Sequence, residues 1–263
     1  MIAFEAMGCR DVSRVLIEKR IRDTYDADGM LKRFRVNNFK SLLNVEFAPS
    51  GVNLLVGPNN AGKTNLCTAL RLLGLSSKQT LDAAALGAVG ERWNLTNFYV
   101  SGQREIEFEI QAVLKHQSQQ NAEPVPTTNE ELTFSYSLRV QTTRSEAVGA
   151  ESLSVLAETL KATGGRFADT ILLENRGGQA RMLHEEGVVR NQPNAPYYVQ
   201  ARAATNATML SQLFELENNP RAILFRRYLQ SWSYYNFSPE SLRLPDVARD
   251  DGALLFSGAN LSR

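Results

Sequence analysis

Hydrophobic positions along this chain change period several times, and each change marks an element. In "MLKRFRVNNFKSLLNVEF" (30–47), Phe34 and Val36 alternate with Arg33 and Arg35, and then Leu43, Val45 and Phe47 alternate with Asn44 and Glu46. Period-two alternation predicts two strands, paired as an antiparallel ribbon. "GVNLLVG" (51–57) is short and apolar almost throughout, which predicts a strand buried on both faces. Beyond it Leu66, Leu70 and Leu73 recur at helical spacing, with Gly74 placed to end the helix. In "EIEFEI" (105–110), Ile106, Phe108 and Ile110 stand against Glu105, Glu107 and Glu109. In "ELTFSYSLRV" (131–140), Leu132, Phe134, Tyr136, Leu138 and Val140 stand against polar neighbours. Both predict half-buried strands, joined by a long polar, proline-bearing loop over 116–130.

Further along, 151–162 predicts a helix closed by Gly164 and Gly165, and 169–185 a hairpin turning at Gly177 and Gly178. The last third turns helical: "MLSQLFELE" (209–217) predicts one helix, and Asn219 with Pro220 starts another that runs through Trp232. Residues 1–29 are charged and helix-prone without strand alternation. They are either a helical arm or an extension ahead of a true start at Met30, the second being favoured. The expected organisation is a lobe with antiparallel strands over 30–200 and a helical segment over 201–263, with no internal repeat.

Composition narrows the class without naming the chemistry. Of 263 residues, 43% are hydrophobic and 22% charged, the balance of a globular protein with a real core. A formal net charge of +1 means that any nucleic-acid surface must be a local patch. Cys9 and Cys67 are too few for a disulfide framework or a zinc site. No run approaches the roughly 18 apolar residues of a membrane helix, and the N-terminus lacks the order of a signal peptide, so a cytoplasmic protein without membrane contact is expected.

The chemistry lies in "VGPNNAGKTN" (56–65). Gly57-Pro58-Asn59-Asn60-Ala61-Gly62-Lys63-Thr64 has the spacing of a phosphate-binding loop, between a predicted strand and a predicted helix. The two glycines let the backbone approach phosphate closely, and Pro58 stiffens the start of the loop. Backbone N–H groups from about residue 60 onward, aided by the helix N-terminus, form the cradle. Lys63 is placed to reach the β- and γ-phosphates, and the Thr64 hydroxyl to ligate Mg²⁺.

The resemblance extends beyond the loop. "LKRFRVNNFKSLLNVEFAPSGVNLLVGPNNAGKTNLCTALRLLG" (31–74) resembles the N-terminus of ABC-type ATPases of the SMC, RecF and OLD (overcoming lysogenization defect) group. Their pattern is a strand ending in Asn-Phe-Arg/Lys-Ser, a second strand, and then Gly-Pro-Asn-(Asn/Gly)-(Ser/Ala)-Gly-Lys-(Ser/Thr)-Asn. "LQSWSYYNFSPESLRLPD" and "SGANLSR", near the end, are more loosely similar to segments of bacterial AAA-family, OLD-like ATPases. The resemblance implies an α/β fold: a P-loop NTPase head lobe of ABC type, with an antiparallel β flank and a helical C-terminal part. It places Lys40 and Ser41 near the phosphates and ribose, and Gly57, Pro58, Asn59, Asn60, Ala61, Gly62, Lys63, Thr64 and Asn65 on the nucleotide. It implies ATP and Mg²⁺ as ligands, a homodimer or a partner ATPase chain, and action on DNA in repair, chromosome maintenance or phage defence.

Hydrolysis in that group needs two further parts: an apolar strand ending in Asp-Glu, and a Ser-Gly signature opening a helix. Glu174 follows the apolar run "TILL" but lacks the Asp and belongs to the predicted hairpin. Ser257-Gly258 falls ahead of the region where the signature is expected. No catalytic residue is therefore assigned. The chain is expected to bind ATP without hydrolysing it alone, either as the N-terminal part of a longer ATPase or as a truncated frame. The alternatives are a non-hydrolysing, nucleotide-dependent interaction module and an inactive remnant.

Other polar residues read more simply. His116 and His184 stand alone, without a metal-ligand spacing. Glu105, Glu107 and Glu109 read as the wet face of a sheet, and Gln103 is a weak match to the metal-sensing glutamine of such heads. Lys32, Arg33, Arg35, Arg221, Arg226 and Arg227 could touch a DNA backbone but are better explained as solvated surface. Trp93 and Phe98 read as core anchors.

Overall fold

The computed structural model describes residues 29–91, 94–97, 104–117, 129–144, 151–164, 169–185, 197–213 and 219–237, with the side chains of 116, 117, 129 and 130 excepted. Eight strands form one sheet: β1 (Gly29–Asn37), β2 (Val45–Phe47), β3 (Glu105–Gln117), β4 (Asn129–Arg144), β5 (Glu151–Thr163), β6 (Thr170–Arg176), β7 (Gln179–His184) and β8 (Tyr197–Arg202). Their spatial order is β2-β1-β3-β4-β5-β6-β7-β8, with every neighbouring pair antiparallel. The described residues form three helices: α1 (Lys63–Ser76), α2 (Leu81–Val89) and α3 (Pro220–Ser231). No helix among them is long and apolar enough to cross a membrane.

Alternation dictates which face the helices cover. Phe34, Val36, Phe108, Ile110, Phe134, Tyr136, Leu138 and Val140 all point to one side and are buried. Leu72, Leu73 and Leu81 line a small apolar cavity with Ile106, Phe108, Leu138 and Val140, so α1 and the start of α2 lie over β3 and β4. Phe225 of α3 has its ring centre 5.4 Å from each of the Phe134 and Tyr136 rings. The other face is polar: Arg35 faces Glu109 at 3.4 Å and Arg139 faces Glu105 at 3.8 Å, so the acidic row of β3 is indeed the wet side of a sheet.

The β1–β2 ribbon, the β3–β4 pair and the β6–β7 hairpin with its turn at Gly177 and Gly178 match expectation, as does the start of α3 at Asn219 and Pro220. Four readings are corrected. First, 151–162 is not a helix but most of strand β5. Register jumps so that Arg139 faces Ala157 while Val140 faces Val155, leaving Leu156 as an extra residue. Such a bulge flips the parity of buried positions, from Leu153 and Val155 to Glu158, Leu160 and Ala162, which disguises the strand's period.

Second, 51–57 is not a strand buried on both faces. Val52, Leu54 and Val56 are 89%, 69% and 83% exposed, and the segment joins no described strand. Only Leu55 packs against the core. Third, Gly74 does not end α1 but lies inside it, buried where α1 meets the end of α3. A Cβ there would stand 3.3 Å from the Leu229 carbonyl oxygen and 3.8 Å from the Trp232 Cβ. The helix instead ends at Ser76, with Gln230 donating to the Ser77 carbonyl at 3.0 Å and Thr208 to that of Ser76 at 2.8 Å. Fourth, within 209–217 the described residues give only a short 3-10 turn, Leu210–Gln212, while 214–218 lie outside them.

Candidate functional site

The candidate phosphate loop, residues 57–65, lies where the 51–57 segment turns into α1. Asn60 and Gly62 adopt left-handed backbone, with φ of 68° and 91°, and between them the Ala61 N–H donates to the Pro58 carbonyl at 3.3 Å, so the loop curls tightly into the start of α1. Gly62 is the N-cap of α1 and supplies no side-chain acceptor, and the first turn holds no acidic residue. The amides of Lys63, Thr64 and Asn65 therefore end the helix without intrahelical partners, and its positive dipole end is uncompensated. This arrangement selects an anion.

The polar side chains fit the same ligand. Lys63 Nζ donates to the Gly57 and Pro58 carbonyls at 2.7 and 2.6 Å, folded back over the loop from which phosphate oxygens could draw it. The Thr64 side chain is exposed and makes no hydrogen bond among the described residues, leaving its hydroxyl available to a hard cation such as Mg²⁺. Gly57, Pro58, Asn59, Asn60 and Ala61 are all exposed, so the mouth of the cradle is open. The donor set suits a nucleotide phosphate with Mg²⁺.

Ser41 is brought against the start of α1, with Lys40 beside it in the same turn. Phe39 and Leu42 exchange backbone hydrogen bonds of 3.1 and 2.8 Å, making a tight turn of the two residues between them. Lys40 takes the left-handed conformation, φ 49°, and its N–H donates to the Leu95 carbonyl at 2.8 Å. Ser41 Oγ accepts from Asn65 Nδ2 at 2.8 Å and would lie 3.1 Å from a Cβ at position 62. Asn65 thus ties the turn to α1, and any side chain at 62 meets Ser41 and Leu42.

Support for the turn was not foreseen in the sequence. Asn38, 1% exposed and also left-handed at φ 59°, donates to the Glu105 carbonyl at 2.6 Å and accepts from the Asn97 N–H at 3.0 Å. Glu151 of β5 accepts from the Leu95 N–H at 3.1 Å. Asparagine tolerates left-handed backbone and can bond locally, so the Asn37-Asn38 pair was the available signal. Helix α2, whose C-terminal end leads to Glu91, was also missed. It is capped by Thr80, which accepts from the Ala83 N–H at 3.4 Å, and closed by Gly90.

Other candidates are drawn elsewhere. Glu174 is held by Arg176 and Arg181 at 2.7 and 2.6 Å in the β6–β7 hairpin, in no contact with the loop. His184 ends β7 and pairs with the Tyr197 hydroxyl at 3.0 Å. Arg221 is no surface residue: it forms a buried ion pair with Glu185 at 2.6 Å, the side chains only 7% and 6% exposed. Arg226 donates to the Leu213 carbonyl. Arg33 is engaged by Glu46 at 2.7 Å. Cys67 is buried on α1, and burial pushes its thiol pKa up. Gln103, Trp93, Phe98, Ser257 and Gly258 lie outside the described residues. Among the described residues no three His, Cys, Asp or Glu side chains gather as a metal site.

No curated protein matches the chain. Residues 30–218, more than two thirds of the chain and including the turn and the loop, match the family described as AAA ATPase domain. The chain belongs to the AAA ATPase domain family.

Proposed function

We propose that the chain binds MgATP through residues 57–65 together with Lys40 and Ser41, as the nucleotide-binding lobe of an SMC, RecF and OLD-like ATPase that works on DNA. Family membership implies nucleotide binding, and the observation that carries the site assignment is the uncapped N-terminus of α1 beneath an open loop. The first-turn amides and Lys63 would hold the β- and γ-phosphates, and Thr64 the Mg²⁺, which when bound would neutralise phosphate charge. Asn65 and Ser41 would lock the Lys40 turn against the loop. Residues 30–200 would make up this lobe, with 201–263 as its helical complement. The link to DNA repair, chromosome maintenance or phage defence rests on the sequence resemblance alone.

Phosphoryl transfer is catalysed by placed charge, and a water-orienting carboxylate is one of the parts it needs. Glu174, the carboxylate that follows an apolar run, lacks the preceding Asp and is tied to Arg176 and Arg181 in the β6–β7 hairpin, so the chain should bind MgATP and release phosphate only at the background rate. Steady-state phosphate release by the purified chain tests this. Turnover that disappears in Lys63→Ala would overturn it.

A second reading is favoured by Val52, Leu54 and Val56. Three exposed apolar side chains in the segment that leads directly into the loop support an interaction surface there. On this reading nucleotide binding governs association with another ATPase polypeptide or a second copy. MgATP-dependent association without phosphate release would favour it.

A further inference from the structure

Lys40 and Lys63 are the two lysines of the proposed site, and they are not equivalent. Among the described residues Lys63 is held by hydrogen bonds to backbone carbonyls and faces no counter-charge. Lys40 faces a carboxylate, with its Nζ 3.5 Å from Glu91 Oε1. Among the described residues Glu91 is the one acidic side chain within ion-pair distance of either lysine.

We propose that Glu91 is a built-in competitor for the nucleotide: its carboxylate holds the Lys40 ammonium while the loop is empty and must give it up to phosphate, so that Glu91 lowers the affinity of the site. The inference rests on the reading of Lys40 as a nucleotide contact.

Both partners are placed by backbone and not by each other. Glu91 directly follows Gly90, the left-handed residue (φ 84°) that closes α2 by donating to the Leu86 carbonyl at 2.9 Å. Lys40 is fixed by its own left-handed turn and by the bond from its N–H to Leu95. The Lys40–Ser41 turn therefore touches Glu91 through Lys40 and the N-terminus of α1 through Ser41. Only the flexible lysine side chain has to swing between them, and a triphosphate carries more charge than one carboxylate. Phosphate wins the contest at a reduced affinity, because the pair must first be broken.

The pair is partly exposed, at 21% and 38%, which limits its worth. Exposed ion pairs correspond to roughly two- to fivefold in an equilibrium constant. The test is MgATP binding by titration calorimetry for the parent, Glu91→Gln, Lys40→Ala and the double variant, each checked for native circular dichroism. Glu91→Gln should tighten binding roughly two- to fivefold, Lys40→Ala should weaken it, and the double variant should match Lys40→Ala. If Glu91→Gln leaves binding unchanged or weakens it while Lys40→Ala still weakens it, the competitor role is wrong and the nucleotide reading stands. The competitor role is equally wrong if Glu91→Gln tightens binding by the same factor in the Lys40→Ala background. If Lys40→Ala has no effect, the reading of Lys40 as a contact fails and the proposal with it.

Discussion

Glu158 is a fully buried carboxyl group, and its removal has a signature in pH. The residue follows the β5 bulge with no solvent exposure. It accepts hydrogen bonds from the Tyr136 hydroxyl at 3.0 Å and from the Met209 and Leu210 amides at 2.5 and 3.2 Å, clamping the 3-10 turn onto the sheet. Burial pushes its pKa up from 4.5 to about 7, against the opposing pull of these donors. The folded state therefore binds this proton more tightly than the unfolded chain does. Its stabilising contribution is complete below about pH 4.5 and is lost as pH rises through about 7, after which stability is flat. Each pKa unit is worth about 1.4 kcal/mol, so the loss is on the order of 3 kcal/mol across the window. In a chain of this size that is roughly 6–12 °C in Tm. Glu158→Gln cannot titrate, and its amide cannot accept from all three donors. The variant should be less stable than the parent at pH 4.5, and the gap should shrink by about 3 kcal/mol by pH 8. Thermal melts of both proteins across this range measure it. A gap that is constant with pH, or widens as pH rises, would refute the reasoning.

Two further outcomes follow from the geometry. Gly62→Ala places a Cβ at φ 91°, 3.1 Å from Ser41 Oγ and Leu42 Cδ2. Left-handed backbone at a non-glycine residue costs about 1–2 kcal/mol, so Tm should fall by a few degrees and MgATP stabilisation should drop at the same time, both read in one melting series. Glu185→Ala removes the carboxylate from the buried Arg221 guanidinium and the acceptor from the Arg221 N–H at the start of α3. Breaking one half of a buried pair should cost roughly 3–5 kcal/mol in urea unfolding.

What the sequence revealed and what it hid divide along physical lines. The turn into α1 was legible because its geometry is local: Gly62 and Lys63 need only their neighbours and the following helix. Strands β3 and β4 were legible because each keeps one parity over the described stretches from Ile106 to Leu114 and from Leu132 to Thr142. Strand β5 was hidden by a single extra residue, Leu156, because a bulge moves burial from odd to even positions and breaks the period. Gly74 misled for a related reason. A glycine near a helix end signals a cap when only the local chain is considered, but this one is set by the approach of α3, more than 150 residues away. The exposure of Val52, Leu54 and Val56 runs against their composition, since an apolar run predicts burial whether or not a partner strand is at hand. Arg221 shows the converse: an arginine at the start of a helix reads as surface until Glu185 is brought beside it.

The central claim is that residues 57–65 grip the phosphates of ATP, and thermal denaturation with and without MgATP tests it most directly, in the parent and in Lys63→Ala. A ligand that binds only the native state at a hundred times its Kd stabilises it by about 2.7 kcal/mol, which is roughly 5–11 °C in Tm for a chain of this size. The account predicts an upward shift of that order in the parent and little or none in Lys63→Ala. Equal shifts in the two proteins, or a folded parent that melts at the same temperature with and without MgATP, would contradict it.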